Sequence, residues 1–251
     1  MMKNNRDWLV IAGGPGISSN YLYSLDDVFE EDNLIFYDQI GTYDCSLIFQ
    51  SIDQMVDQIR TVMMEHKPNS IGIITHSFGN YLLMEYIKKY GSDDIEVVIM
   101  ISPCPLLYRE WKDSLDQLNS SMPNEIIDDY VKMKEISSDG KDLFRLIYPY
   151  YTNVNSALDI EVKFNADLCD KISSEVVEFD HSEVIKSLTC PLFLINGEYD
   201  LFNKSSNFPG CRVFSIPNTG HYPHLEDSEN FKIIVREIIG DLCQTTVRKY
   251  I

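Results

Sequence analysis

Six stretches of the chain are short, continuous and apolar, and between several of them the apolar positions fall at helical spacing. The stretches are 7–12 (DWLVIA), 33–38 (NLIFYD), 70–75 (SIGIIT), 95–102 (IEVVIMIS), 192–197 (LFLING) and 211–216 (CRVFSI). Each is rich in Ile, Val, Leu or Phe and lacks a polar face, the pattern of strands covered on both sides. Helices are expected at about 50–66, 79–90 and, after the last strand, 225–242. Strand and helix in turn predict an α/β fold class, a mostly parallel, doubly wound sheet of about six strands with helices on both faces.

The alternation stops between Pro103 and Ser187, where the chain becomes polar, aromatic and largely helical in pattern, and resumes at Cys190-Pro191. Residues 104–187 therefore read as a helical cap inserted after the fourth strand, and 1–103 with 188–251 as the core domain. Within the cap the run Leu146-Ile147-Tyr148-Pro149-Tyr150-Tyr151 should overhang the strand ends. Tyr148, Tyr150 and Tyr151 are expected to line an apolar pocket, with packing between cap helices as the alternative.

One corner of this layout carries candidate chemistry. Residues 71–80, IGIITHSFGN, pass from strand through a sharp turn into a helix, with Ser77 at the turn. A serine held there stands clear of the backbone, and the helix aims its first N–H groups at whatever the hydroxyl attacks. The hydroxyl needs a base to take its proton, and the base needs an acid to fix its tautomer. Asp200, in LFLINGEYDLF, and His221, in CRVFSIPNTGHYPHLED, follow the fifth and sixth strands. Parallel strands bring all three loops to one sheet edge, so Ser77, Asp200 and His221 are the expected catalytic residues.

Neighbouring residues offer rivals. Glu198 competes with Asp200 as the acid. His224 is expected to be a capping or surface histidine where the last helix begins, with Glu226 in its first turn. Gly220 should leave room for an exposed His221 imidazole, and His76 should pack or hydrogen-bond within its own turn. After the first strand, Ala12-Gly13-Gly14-Pro15-Gly16 forms a turn with almost no side chains. The N–H groups of Gly14 and Phe78 are the expected donors to an oxyanion. Phosphate binding is not expected, because the loop has no P-loop lysine and does not match G-x-G-x-x-G.

Together these motifs resemble those of the α/β-hydrolase superfamily, and within it the prolyl aminopeptidase branch. That branch has His-Gly-Gly-Pro-Gly, matched by Ala12 to Gly16, and Asp-Gln-Arg-Gly with a downstream serine, matched by Asp38-Gln39-Ile40-Gly41 and Ser46. Its serine elbow, Gly-x-x-Asp loop and Gly-His turn follow in order at Thr75 to Gly79, Gly197 to Asp200, and Gly220-His221. The resemblance implies the fold, the triad and an acyl-enzyme. Ala12, Ile40 and Thr75 depart from it, and the antiparallel hairpin that usually opens the sheet has no counterpart. The cap acids that hold a free ammonium in that branch cannot be aligned on Glu110, Glu125 or Glu135.

Composition narrows the partners. A chain of 251 residues, 44% of them hydrophobic, can bury one sizeable core. Its formal charge of −18 repels nucleic acid and anionic membrane surfaces, leaving a small molecule as the expected partner. Six scattered cysteines, with no C-x-x-C pair, fit free thiols without a metal site, and no cofactor is expected. With neither a leader nor a spanning segment in view, the expected location is the cytoplasm. The favoured activity is hydrolysis of a small carboxylic ester or thioester; a prolyl-type aminopeptidase and a non-catalytic binding protein are the alternatives.

Overall fold

The computed structural model describes residues 6–30, 32–42, 45–66, 71–136, 140–153, 162–204 and 208–249, the last six without their side chains. The core elements are β1 (Asp7–Ile11), β2 (Asn33–Phe36), α1 (Ile52–His66), β3 (Ile71–His76), α2 (Phe78–Tyr90) and β4 (Ile95–Ile101). Then come α3 (Tyr108–Ser121), α4 (Asn124–Ile136), α5 (Lys141–Ile147), α6 (Ala166–Glu175) and α7 (Ser182–Ser187). β5 (Leu192–Gly197), β6 (Arg212–Ile216), α8 (Pro223–Glu226) and α9 (Ser228–Lys249) complete the chain. Ser70, expected to open the third strand, lies outside the described residues.

The six strands form one sheet in the order β2-β1-β3-β4-β5-β6, and every neighbouring pair is parallel. Successive residues of a strand point to opposite faces, and each face has its own core. Leu9, Ile11, Ile71, Ile73, Val98, Met100 and Leu194 pack with Met55, Ile59, Leu82 and Leu83 of α1 and α2. Trp8, Val10, Ile74, Val97, Ile99 and Ile195 pack on the other side with Phe231, Val235, Ile238 and Leu242 of α9. The spacing of those four α9 residues is one helical stripe. Burying such a side chain is worth roughly 1.5–3 kcal/mol, so packing rather than propensity holds the helix.

The expected last helix is two pieces. Asp227 ends α8 and caps α9, its Oδ1 accepting from the Asn230 N–H at 3.2 Å and its carbonyl from Phe231 N at 3.0 Å. The strand order also locates a crevice. From β1 the chain steps outward to β2 and then crosses to β3 on the other side, so the connections at the carboxyl ends of β1 and β3 diverge. Ligands in open parallel sheets bind at such a switch point.

Candidate active site

Ser77 sits between β3 and α2 with φ 51° and ψ −121°. This backbone is costly for a residue with a Cβ, and it persists because the turn is held on several sides. The Ser77 N–H donates to the Ile101 carbonyl at 3.1 Å, and the Ser77 carbonyl accepts from Asn80 N and Cys104 N, each at 3.0 Å. Gly79 lets α2 start against β1, since a Cβ there would lie 2.3 Å from the Ile11 carbonyl oxygen. Thr75, in place of the family glycine, is fully buried.

The Asp200 and His221 loops meet this turn. Asp200 Oδ1 lies 2.9 Å from His221 Nδ1, and His221 Nε2 lies 2.8 Å from Ser77 Oγ. The carboxylate accepts, so Nδ1 carries the imidazole proton and the Nε2 lone pair receives the serine O–H. The same Oδ1 accepts from the Phe202 N–H at 2.9 Å, which fixes the carboxylate. Glu198 is exposed and accepts instead from the Asn218 N–H at 3.0 Å, away from the imidazole.

The His221 imidazole is buried, not exposed as Gly220 suggested. The missing Cβ at Gly220 makes room for backbone: one built there would sit 2.5 Å from the Tyr151 carbonyl oxygen, and that oxygen accepts from the His221 N–H at 2.8 Å. Glu226, read only as a first-turn acid, clamps this loop. Its carboxylate accepts from the N–H groups of Gly220 at 2.9 Å, Tyr222 at 3.0 Å and Asn153 at 2.9 Å. That role has no signal in spacing along the chain beyond the proximity of Glu226 to the loop.

The other histidines also differ from expectation. His224 is neither a cap nor on the surface. It is buried among the rings of Tyr21, His76, Tyr222 and Phe231, and neither ring nitrogen has a hydrogen-bond partner among the described residues. Burial, followed by charge on His221, lowers its pKa to about 3. His76 does not bond within its turn. Its Nδ1 meets Tyr21 Oη at 2.8 Å and its Nε2 the His221 carbonyl at 3.0 Å, partners far away in sequence. His181, without a motif in the sequence, is buried with Nε2 2.6 Å from Glu85 Oε1.

The glycine loop lies beside Ser77. Gly14 has φ +122°, in a region closed to most residues, and lines the same cavity as Ser77 and His221. Phe78 N is the first N–H of α2 and has no acceptor within its own helix. Where the branch ties its next loop with arginine, this chain has a buried Ile40 and other ties. Gln39 Nε2 donates to the Ala12 carbonyl at 2.7 Å, Gln58 Nε2 to the Asp38 carbonyl at 2.9 Å, and Asp38 Oδ1 accepts from the Ser19 N–H at 2.8 Å.

The cavity above Ser77 is about 240 Å³ and is walled mainly by Leu115, Leu118, Tyr130, Ile147, Tyr151 and Phe164. Among the described residues, no Asp, Glu, Lys or Arg lines it. Of the three tyrosines expected there, Tyr151 is in the wall, its ring 5.7 Å from that of His221. Tyr148 and Tyr150 are not; the Tyr148 ring is buried against Tyr222 and Phe144, at 5.1 and 5.4 Å. Cys169 also faces the cavity, but burial raises its thiol to about 11, which keeps it protonated and a poor nucleophile.

This sheet, with a serine turn at its switch point and an acid and a histidine on later strand ends, is the α/β-hydrolase fold. Solved structures agree. Proline iminopeptidase of Mycobacterium smegmatis superposes with a TM-score of 0.66 at 19% identity, covering 95% of this chain and 92% of its own. An esterase from Exiguobacterium antarcticum gives 0.72 at 14% identity, covering 94% and 92%. In sequence the chain resembles the prolyl aminopeptidase branch over most of its length. It is 21% identical to a proline iminopeptidase of Heyndrickxia coagulans over 265 residues, 93% of this chain and 90% of the relative. A proline iminopeptidase of Saccharolobus solfataricus is 22% identical over 270 residues, 95% and 86% of the two chains. No protein-family model matches the chain. Among the described residues, no helix is long and apolar enough to cross a membrane.

Proposed function

We propose that the chain is a serine hydrolase that cleaves a small, apolar carboxylic ester or thioester through an acyl-enzyme. Ser77 Oγ attacks the carbonyl carbon while His221 Nε2 takes its proton. The imidazolium is held by Asp200, and the oxyanion is met by the N–H groups of Gly14 and Phe78. Collapse of the tetrahedral intermediate breaks the bond to the alcohol or thiol, which leaves with the proton from Nε2. Water, activated by the same imidazole, then releases the acid and restores Ser77. Residues 104–187 act as the cap that shapes the acyl site.

The observation that carries this reading is the relay of 2.8 and 2.9 Å from Ser77 through His221 to Asp200, opening into a cavity whose wall, among the described residues, carries no Asp, Glu, Lys or Arg. Such a wall suits an uncharged acyl group, and its described residues offer no carboxylate to pair with a substrate ammonium. The second reading, a prolyl-type aminopeptidase, is favoured by the names of the curated relatives. A binding protein without activity has little need of a completed relay. The scattered free cysteines lead us to infer a cytoplasmic location.

The test is labelling with a fluorophosphonate, together with turnover of p-nitrophenyl esters from acetate to octanoate and of prolyl-p-nitroanilide. Native protein should label and hydrolyse short to medium esters, whereas Ser77→Ala should not label and should lose on the order of 10⁴-fold or more in kcat. A folded native protein that stays unlabelled removes the catalytic reading. Turnover of the anilide alone replaces the ester with the amide.

A further inference from the structure

Two buried side chains that take no part in those steps join the glycine loop to the backbone of the general base. The Gly13 N–H donates to Tyr21 Oη at 2.7 Å, Tyr21 Oη lies 2.8 Å from His76 Nδ1, and His76 Nε2 lies 3.0 Å from the His221 carbonyl oxygen. The ends of this chain fix its protons. A backbone N–H can only donate and a carbonyl can only accept, so Tyr21 accepts from Gly13 and turns its own proton to Nδ1, and Nε2 carries the imidazole proton. Every group then has a partner with both side chains neutral.

Their surroundings keep them so. Burial pushes the Tyr21 phenol well above its ordinary range, against the smaller opposing effect of the Gly13 N–H. Burial likewise depresses His76 far below the usual histidine value, and positive charge on His221 or His224 acts the same way. Packing is equally tight: a Cβ on Gly13 would sit 2.8 Å from His76 Nδ1 and 2.9 Å from Ser77 Cβ. The family histidine that shapes this loop is absent, and Ala12 offers only a carbonyl, held by Gln39.

We infer that Tyr21 and His76 are positioning residues, a neutral bridge that sets the Gly13–Gly14 segment, and with it the Gly14 N–H, relative to Ser77 and the backbone of His221. The inference rests on the serine-hydrolase reading. An oxyanion donor is effective only if it is oriented before charge develops, because reorienting it during reaction takes back part of the stabilisation. Loss of the phenol hydroxyl leaves the Gly13 N–H and His76 Nδ1 unpaired in a buried site, which frees the loop to turn in search of partners.

The experiment compares native protein, Tyr21→Phe, His76→Ala and the double variant in hydrolysis of p-nitrophenyl butyrate. It adds inhibition by an aliphatic trifluoromethyl ketone, whose adduct with Ser77 places an oxyanion against the loop, and thermal melting of each protein. Tyr21→Phe should lower kcat about ten-fold with KM changed by less than about two-fold, and should weaken the ketone by a similar factor. The double variant should be no more than about three-fold worse than His76→Ala alone, because one bridge is broken in either case. Where His76→Ala does not fold, Tyr21→Phe with the ketone decides. Native kcat and ketone affinity in Tyr21→Phe, or losses that multiply in full, overturn the bridge. A native protein that turns over no ester overturns the hydrolase reading and the bridge with it.

Discussion

Gly79→Ala adds a single methyl group at the point where α2 meets β1, and its cost can be worked from distances. The new Cβ would lie 2.3 Å from the Ile11 carbonyl oxygen and 2.7 Å from that of Ala12, where ordinary contact begins near 3.4 Å. Both obstacles are backbone, so no side chain can rotate away. Relief requires the start of α2 and the end of β1 to separate by about 1.1 Å, the shortfall of the closer contact. Ser77 and the Phe78 N–H ride on one side of that joint and Gly14 on the other. Misplacement of reacting groups by about 1 Å costs on the order of 100-fold in rate, and overpacking of this kind about 1–3 kcal/mol in stability. The assay is p-nitrophenyl butyrate turnover with urea unfolding of the same preparations. Gly91→Ala is the control: Gly91 has φ 81° and ψ −170°, a region all but reserved for glycine, and nothing within 4 Å of a built Cβ, so it should lose about 1–3 kcal/mol and keep its activity. Native turnover and native stability in Gly79→Ala would falsify the argument from close approach. An equal loss of turnover in Gly91→Ala would refute it too, by tying activity to stability alone.

Two further substitutions read the site. Asp200→Asn presents an amide to His221, favours the wrong tautomer and should lower kcat roughly 10³-fold or more, whereas Glu198→Gln, remote from the imidazole, should stay within about two-fold; equal losses in steady-state assays would reverse the assignment of the acid. His224 has a folded pKa of about 3, below its unfolded value, so the unfolded chain alone takes up this proton between about pH 6.5 and 3. Its contribution to stability is therefore complete above about pH 6.5 and lost as pH falls through that window. Urea melts at pH 7.5 and 5 should show His224→Phe losing about 2 kcal/mol less than native protein over the interval, and parallel losses would contradict the burial of a neutral imidazole.

The sheet was readable because a strand buried on both faces must be apolar throughout, and runs such as IGIIT and LFLIN carry that requirement in consecutive residues. The meeting of Ser77, Asp200 and His221 follows from the same fact, since each lies just beyond the carboxyl end of a strand and the strands are parallel. Spacing gives no direction for a side chain within a loop. His224 looked like surface because it stands among turn residues, yet rings from Tyr21 and His76 close over it. Tyr148 opens a short 3-10 helix and Tyr151 ends it, and only the latter reaches the cavity wall. Gly220 suggested room for an exposed imidazole, but that room is taken by the Tyr151 backbone. α4 is harder still: it has no buried residue, so its apolar positions obey no sheet-facing pattern.

The glycine loop is sewn to the chain that forms part of the cavity wall. Ile17 and Phe164 form an antiparallel bridge, the Ser18 N–H donates to the Lys163 carbonyl at 3.0 Å, and the Asn165 N–H donates to the Gly16 carbonyl at 2.8 Å. The wall of the cavity and the shape of the loop are thus mechanically one system. A molecule that presses on Phe164 from within the cavity therefore pulls, through this seam, on the loop that holds Gly14.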